Sequence, residues 1–193
     1  MGANLGKRNA VNVMNRNRIK WLLAASIGLA ISLLLLSACI TTIGGPATPA
    51  STPSATENQI AQAVFQAINQ SRADNGLAPL KWDTALVNSA HQHNLAMQAA
   101  NTLSHQLPGE ANLGARETQQ GINWTFAAEN IGVTTDQSEN GALALHQAMM
   151  NEKPPDDGHR QNILTTVGTL VGVSILIDQQ HGELWLTEDF AHV

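Results

Sequence analysis

The segment Asp157-Gly158-His159-Arg160-Gln161-Asn162-Ile163-Leu164 is the most informative stretch of this 193-residue chain. It places a histidine among a glycine, amides and charged residues, which are residue types that line polar sites. Two upstream segments, Ser104-His105 and Ala128-Glu129-Asn130-Ile131, have the same character. Few other segments offer chemistry, because the chain has one cysteine, no phosphate-binding glycine loop and no Gly-x-Ser-x-Gly motif. We therefore expect these three segments to converge in one cleft.

The N-terminus has the features of an export signal. Five basic residues precede Trp21, and residues 21–36 are uncharged and mostly apolar. The sequence Leu36-Ser37-Ala38-Cys39 follows and resembles a bacterial lipobox, which predicts a lipoprotein signal peptide at 1–39 and a lipid on Cys39. The alternative is an uncleaved transmembrane anchor, since about twenty apolar residues are enough to span a bilayer. Both alternatives predict an extracytoplasmic domain attached to the cell membrane.

The composition after Cys39 limits the possible partners. Five basic residues remain against fifteen acidic ones, a net charge of −10. Nucleic acid is not expected as a partner, because binding phosphate groups needs clustered Lys and Arg. Residues 40–56 are rich in Pro, Thr and Ser and are predicted to be a flexible linker, followed by one domain at 57–193. The chain has no heptad repeat, and we expect a monomer.

Hydrophobic periodicity predicts helices first and strands last. The predicted helices cover residues 57–74, 84–100, 111–120, 138–151 and 159–164, and residues 101–108 are predicted to turn out of the second helix. Thr56 and Gln59 have the spacing of a capping box for the first helix. Residues 124–133 are placed on a loop leading to a helix or short strand, and residues 167–178 and 184–190 on a β-hairpin. This order predicts an α+β fold with helices packed on a small, mainly antiparallel sheet.

Several motifs, in their order and spacing, resemble bacterial CAP domains, the SCP-like superfamily named after cysteine-rich secretory proteins, antigen 5 and pathogenesis-related protein 1. The resemblance extends over residues 59–191. It rests on Asn69–Arg72, Leu80–Asp83, Leu103–His105, Ala128–Gly132, Gly158–Leu164 and Leu186–Ala191. The resemblance implies an α-β-α sandwich, with helices on both sides of the sheet, in a secreted or surface-held domain.

The resemblance also implies a cleft lined by two histidines and two glutamates. By position, His105 and His159 match the two histidines. Glu129 matches the glutamate of the Glu-Asn-Ile motif. Glu152 stands where animal and plant members have their second glutamate, and an insertion at 153–157 separates it from His159. The four residues are therefore the candidate metal ligands, and Glu129 is also the candidate catalytic residue.

Two imidazoles and two carboxylates suit a divalent metal, and zinc is the favoured ion. Asn130, Arg160 and Asn162 are expected to surround and orient these ligands, the two amides through backbone hydrogen bonds and the arginine by pairing with a nearby acid. His93 is predicted to be a core histidine. The remaining histidines are predicted to be surface or edge residues: His91, His146, His181 and His192.

Three functions remain open from the sequence. We favour a lipid-anchored binding module of the cell envelope whose cleft holds a metal or another small ligand. The second is a metal-dependent hydrolase of peptide or cell-wall substrates with Glu129 as its base, although the chain has no His-Glu-x-x-His motif. The third is an apolar lipid-binding carrier. The sequence identifies neither the ligand nor the side of the envelope.

Overall fold

The computed structural model describes residues 51–193. Its helices are α1 (Ala55–Asp74), α2 (Thr84–Ala100), α3 (Leu113–Gln119), α4 (Glu139–Met150) and α5 (Gly158–Ile163). Its strands are β1 (Lys81–Trp82), β2 (Phe126–Thr134), β3 (Leu170–Asp178) and β4 (Glu183–His192). The predicted signal peptide, Cys39 and linker residues 40–50 lie outside the described residues. None of the helices from residue 51 onward combines the length and the apolar character needed to cross a bilayer.

The four strands form one mixed sheet in the order β1-β3-β4-β2. β4 pairs antiparallel with both β3 and β2, and β1 pairs parallel with β3. The β2–β4 register places Glu129 opposite Asp189, and Asn130 opposite Glu188. Because successive side chains of a strand point to opposite faces, the first pair lies on one face of the sheet and the second pair on the other.

Helices cover both faces of this sheet. The larger hydrophobic core lies between the sheet and α1, α4 and α5; it includes Ile60, Val64, Ile68, Ala142, Ile163, Val173, Ile175, Leu186 and Phe190. A smaller core lies on the face covered by α2 and includes Met97, Ile131, Leu176 and Trp185. The predicted α+β class and α-β-α sandwich are therefore confirmed.

Helix α1 begins earlier than predicted. Its capping box joins Ser54 and Glu57: the Glu57 amide donates to Ser54 Oγ at 3.2 Å, and the Ser54 amide donates to Glu57 Oε2 at 2.6 Å. The predicted box at Thr56 and Gln59 was wrong by two residues. Both pairs have the required spacing, but Glu57 Oε1 also accepts from the Ile177 amide of β3 at 2.7 Å. That tertiary hydrogen bond is not visible in the sequence.

Helix α2 lies directly on β3. Asp83 caps it as predicted, because its Oδ1 accepts from the amides of Ala85 and Leu86 at 2.8 and 3.1 Å. A Cβ added to Gly172 would lie 2.3 Å from the Leu86 carbonyl carbon, so only glycine permits this approach of helix and strand. The predicted inward stripe of α2 is buried: Leu86, Ala90, His93 and Met97.

The Glu-Asn-Ile motif lies within β2 and not on a loop. Residues 126–134 pair with β4 along the whole strand. Residues 129–132 are all buried, because helices cover both faces of the sheet. A strand buried on both sides loses the apolar and polar alternation that identifies strands from sequence. The predicted β-hairpin of residues 167–178 and 184–190 is present as β3 and β4.

Buried Arg72 fixes α5 against α1. Its Nη1 donates to the carbonyl oxygens of Ile163 and Thr165, each at 2.8 Å, and its Nε donates to that of Ala78 at 2.8 Å. These carbonyls lie at and just beyond the C-terminal end of α5, where helical hydrogen bonds are lacking. One side chain of α1 therefore holds the short helix that carries His159.

Candidate functional site

Glu129 is the centre of the first half of the site. The carboxylate is buried on β2, where His105 Nδ1 donates to Oε1 at 2.8 Å and Arg116 Nη2 donates to Oε2 at 2.7 Å. Burial by itself would raise the pKa of Glu129, but the hydrogen bond from His105 and the charge of Arg116 outweigh it and hold the pKa below its ordinary value. Glu129 is therefore ionised at neutral pH, with both oxygens engaged.

Glu152 and His159 form the second half. His159 Nδ1 lies 2.5 Å from Glu152 Oε1, and the His159 amide donates to Glu152 Oε2 at 3.0 Å. The Arg160 amide donates to the same oxygen at 3.4 Å. The insertion at 153–157 leaves Glu152 beside the imidazole that it was predicted to accompany, and its carboxylate receives the first amides of α5.

Two asparagines join these halves. Asn130 Nδ2 donates to the His159 carbonyl oxygen at 3.2 Å, and Asn162 Nδ2 donates to the Glu129 carbonyl oxygen at 3.2 Å and to Asn130 Oδ1 at 2.9 Å. Helix α5 is thus fixed to the two consecutive residues of β2 that carry the motif. The structure places both amides as expected, whereas Arg160 has no acidic partner among residues 51–193.

The four candidate ligands form two His–Glu pairs and not one four-membered cluster. Among residues 51–193, no group of three or more His, Cys, Asp or Glu side chains has a metal-binding arrangement. In each pair the carboxylate engages Nδ1, and neither Nε2 has a hydrogen-bond partner in the described part of the chain. The side chains of His105 and His159 are 56% and 33% exposed, so both rings reach solvent.

Three residues beside Glu129 had not been predicted to belong to the site. His93 is buried as expected, but its Nε2 lies 3.7 Å from Glu129 Oε2 and its Nδ1 lies 2.7 Å from Glu110 Oε1. Arg116 Nε is 3.9 Å from the same Glu110 oxygen. A buried histidine needs a hydrogen-bond partner. The position of His93 in the apolar stripe of a helix could therefore have predicted a buried polar residue beside it. Arg116, on the short helix α3, had no comparable signal.

Two further acids lie buried near Glu129. Glu117 and Asp189 are fully buried, and their carboxyl oxygens have no hydrogen-bond partner within the described residues. Burial raises the pKa of Glu117 to about 8, against the opposing charge of Arg116 and with a smaller contribution from Glu129. Burial, together with the charge of Glu129, raises the pKa of Asp189 well above its ordinary value. Glu117 is therefore mostly protonated at neutral pH.

The prediction for the remaining histidines was wrong for two of them. His91 and His146 are buried, because each lies on the inward side of its helix and contacts a serine: Ser174 Oγ is 3.3 Å from His91 Nδ1, and Ser71 Oγ is 3.0 Å from His146 Nε2. His181 is exposed beside Asp178 in the β3–β4 turn. His192 lies at the end of β4, as an edge residue would.

The comparison with known families agrees with this architecture. The family model described as "CAP: Cysteine-rich secretory protein family" matches residues 65–190. The chain belongs to the CAP family. The matched range contains all four candidate ligands and every strand except the last two residues of β4.

This CAP domain is similar to parts of two longer bacterial proteins. It is 31% identical over 127 residues to the uncharacterized protein YkwD of Bacillus subtilis (strain 168), covering 66% of this chain and 45% of that protein. It is also similar to an extracellular protein containing an SCP domain from Bacillus anthracis str. Ames, with 26% identity, a TM-score of 0.62, and coverage of 74% of this chain and 45% of that one. The chain thus spans about half the length of each.

A more distant structure shares the fold alone. NaASP2, solved with Zn²⁺, is 11% identical, has a TM-score of 0.50, and aligns over 72% of this chain and 83% of its own.

Proposed function

We propose that this CAP domain is a membrane-attached, extracytoplasmic binding module whose His/Glu cleft holds a divalent metal, with zinc as the favoured ion. The supporting observation is the pairing of each cleft histidine with a glutamate. In metal sites, a histidine that binds the metal through one ring nitrogen commonly donates its other N–H to a carboxylate, which fixes the ring's tautomer and orientation. His105 with Glu129 and His159 with Glu152 have this arrangement.

The pairing divides the four residues into two roles. Both oxygens of Glu129 and of Glu152 are occupied by hydrogen bonds, so the glutamates orient the rings and do not ligate. The ligands are Nε2 of His105 and Nε2 of His159. Two protein ligands leave further positions on a zinc ion for water or an oxygen-donor ligand, which the ion would polarise as a Lewis acid.

The same geometry favours binding over hydrolysis by Glu129. A general base works best when its pKa lies near the working pH. Arg116 and His105 hold the pKa of Glu129 below its ordinary value, and they occupy both of its oxygens. No observation on the described residues favours the apolar carrier, and that alternative stays a prediction from the sequence.

We test the metal site by isothermal titration calorimetry, adding zinc chloride to the purified full chain. We expect one saturable site that is lost in His105→Ala and in His159→Ala. Glu152→Gln should weaken binding by about 10- to 100-fold, as loss of a ligand-orienting carboxylate does. His181→Ala is the matched control, because this exposed histidine also pairs with a carboxylate, Asp178 Oδ2 at 2.6 Å, but lies at the β3–β4 turn.

Two outcomes would contradict this site. Saturable binding that persists in both cleft variants would place the metal elsewhere. No binding by a wild-type chain with a native circular dichroism spectrum would leave the cleft as a site for an organic ligand.

The attachment to the membrane rests on the lipobox-like sequence at Leu36–Cys39. We expect mass spectrometry to find a lipid on Cys39, and Cys39→Ser to remove it. Membrane fractionation of the wild type separates the two anchors: retention of a chain that carries no lipid would contradict the lipoprotein and support an uncleaved transmembrane segment.

A further inference from the structure

A second polar cluster lies on the opposite face of the sheet, where α1 and α4 pack together. Ser71 of α1 has its Oγ 3.0 Å from Nε2 of His146 on α4, and His146 Nδ1 lies 3.8 Å from Oε1 of Glu188 on β4. Ser71 and His146 are 75 residues apart in the sequence. Folding thus aligns a hydroxyl, an imidazole and a carboxylate in that order.

The hydrogen-bonding capacity of these groups determines where the protons lie. Glu188 is fully buried, and its Oε2 accepts from Asn130 Nδ2 at 2.9 Å. Glu188 Oε1 and His146 Nδ1 face each other and are both buried, and at 3.8 Å they are too far apart for a hydrogen bond, so neither atom has a hydrogen-bond partner among the described residues. A ring N–H on Nδ1 would face the carboxylate oxygen, and this tautomer leaves the lone pair of Nε2 to accept from the Ser71 hydroxyl. This is the tautomer in which a histidine acts as base toward a serine.

We propose that Ser71, His146 and Glu188 form a Ser–His–Glu triad in which Ser71 is a nucleophile toward acyl esters. Ser71 is half-buried, whereas His146 is 4% and Glu188 0% exposed, so the serine is the member of the triad nearest to solvent. Burial shields the imidazole and carboxylate from water, which strengthens their electrostatic interaction. The triad does not depend on the metal proposal, because none of its members belongs to the two cleft pairs.

The reaction requires no cofactor. Ser71 Oγ bonds to the ester carbonyl carbon while its proton passes to His146 Nε2, and Glu188 stabilises the imidazolium. The tetrahedral intermediate then breaks the bond to the alcohol oxygen, which takes the proton from His146. Water repeats the sequence on the acyl-serine, releasing the carboxylic acid and restoring the Ser71 hydroxyl.

Other serine–histidine and histidine–carboxylate contacts of the described residues lack one of the three parts. Ser174 contacts His91 Nδ1, but His91 Nε2 is bonded to the carbonyl oxygen of Ser51 at 2.5 Å and not to an acid. His181 is paired with Asp178, with no serine on its other nitrogen. His146 has a serine hydroxyl 3.0 Å from Nε2 and a carboxylate oxygen 3.8 Å from Nδ1.

The test uses a fluorophosphonate, which serine nucleophiles displace with loss of fluoride to form a stable phosphonate ester. The full chain is incubated with the probe, and peptide mass spectrometry locates the adduct. We expect one adduct, on Ser71. Ser104 is the matched serine within the same sample, because it is also half-buried but donates to the Gln106 carbonyl oxygen at 2.9 Å, and it should stay unmodified.

Rates of labelling distinguish a triad from a merely accessible serine. His146→Gln should slow the modification of Ser71 by on the order of 100-fold, the effect of losing a general base, and Glu188→Gln should slow it to a lesser degree. An unmodified Ser71 in folded wild type, under conditions that label a known serine esterase, would overturn the proposal. Equal labelling of a folded His146→Gln variant would do the same. Labelling of Ser71 in the wild-type chain tests the proposal even if a variant fails to fold.

Discussion

The two faces of the β2–β4 pair carry buried polar clusters that are stabilised in different ways. On the face toward α2 and α3, four acids surround one arginine: Glu110, Glu117, Glu129 and Asp189 around Arg116. On the face toward α1, α4 and α5, Glu188 has an amide and an imidazole beside it. Both clusters begin at consecutive residues, Glu129 and Asn130, because a strand sends neighbouring side chains to opposite faces.

The comparison shows two ways to bury a carboxylate. Glu129 stays ionised because Arg116 and His105 compensate its charge, whereas burial raises the pKa of its neighbours, to about 8 for Glu117 and well above the ordinary value for Asp189. Glu188 has one hydrogen bond, from the neutral side-chain amide of Asn130 to Oε2, and its Oε1 lies 3.8 Å from His146 Nδ1. The first arrangement depends on the cation Arg116, whereas the second relies on a neutral amide.

Arg116→Met provides the strongest test of this difference. The substitution keeps the aliphatic volume but leaves Glu129 without its cation, and removing one partner of a buried ion pair costs about 3–5 kcal/mol of unfolding free energy. Urea denaturation at pH 7 measures this loss. The loss should shrink at pH 5, because the unpaired Glu129 can then be protonated.

Asn130→Ala is the corresponding change on the other face. It leaves Glu188 Oε2 and Asn162 without their neutral partner, and should cost about 1–3 kcal/mol. Lys81→Met, at an exposed position on β1, should change stability by less than about 0.5 kcal/mol. A loss in Asn130→Ala equal to or greater than that in Arg116→Met would show that the two faces do not differ in this way.

Glu117→Gln tests whether the buried Glu117 is protonated in the folded chain. Its expected effect on stability is smaller than that of the substitutions at Arg116 and Asn130. The folded-state pKa of about 8 lies above the ordinary value of 4.5, so the folded chain holds a proton that the unfolded chain releases. The stability contributed by this group is therefore complete below pH 4.5 and is lost as the pH rises through 8, with a slope of at most about 1.4 kcal/mol per pH unit. Urea midpoints measured from pH 5 to 9 should fall less steeply in Glu117→Gln.

The control for this slope is an exposed glutamate. Glu139→Gln, in the first turn of α4, should leave the pH dependence of the wild type unchanged. If Glu117→Gln also leaves the pH dependence of the urea midpoint unchanged, Glu117 is ionised in the folded chain. Arg116 would then compensate the charge of Glu117 as well as that of Glu129.

Much of the fold could be predicted because it depends on local signals. Asp83 caps α2, the inward stripe of that helix is buried, and residues 167–190 form a hairpin. The errors occurred where tertiary contacts override local ones. Glu57 accepts a hydrogen bond from the Ile177 amide of β3, and α1 begins earlier than predicted. Burial on both faces of β2 removes the alternation of apolar and polar residues that would have identified it as a strand. His91 and His146 were misplaced because their serine partners come from distant segments.

The sequence by itself determined the class of fold, the family motifs and the residue types available for a polar cleft, because periodicity, caps and motif spacing are properties of neighbouring residues. Only the tertiary structure decided which side chains meet. It separated the four candidate ligands into two His–Glu pairs and aligned Ser71, His146 and Glu188 from three elements. The physical reason is that strand register and helix packing, which fix these distances, are set by burial across the whole domain.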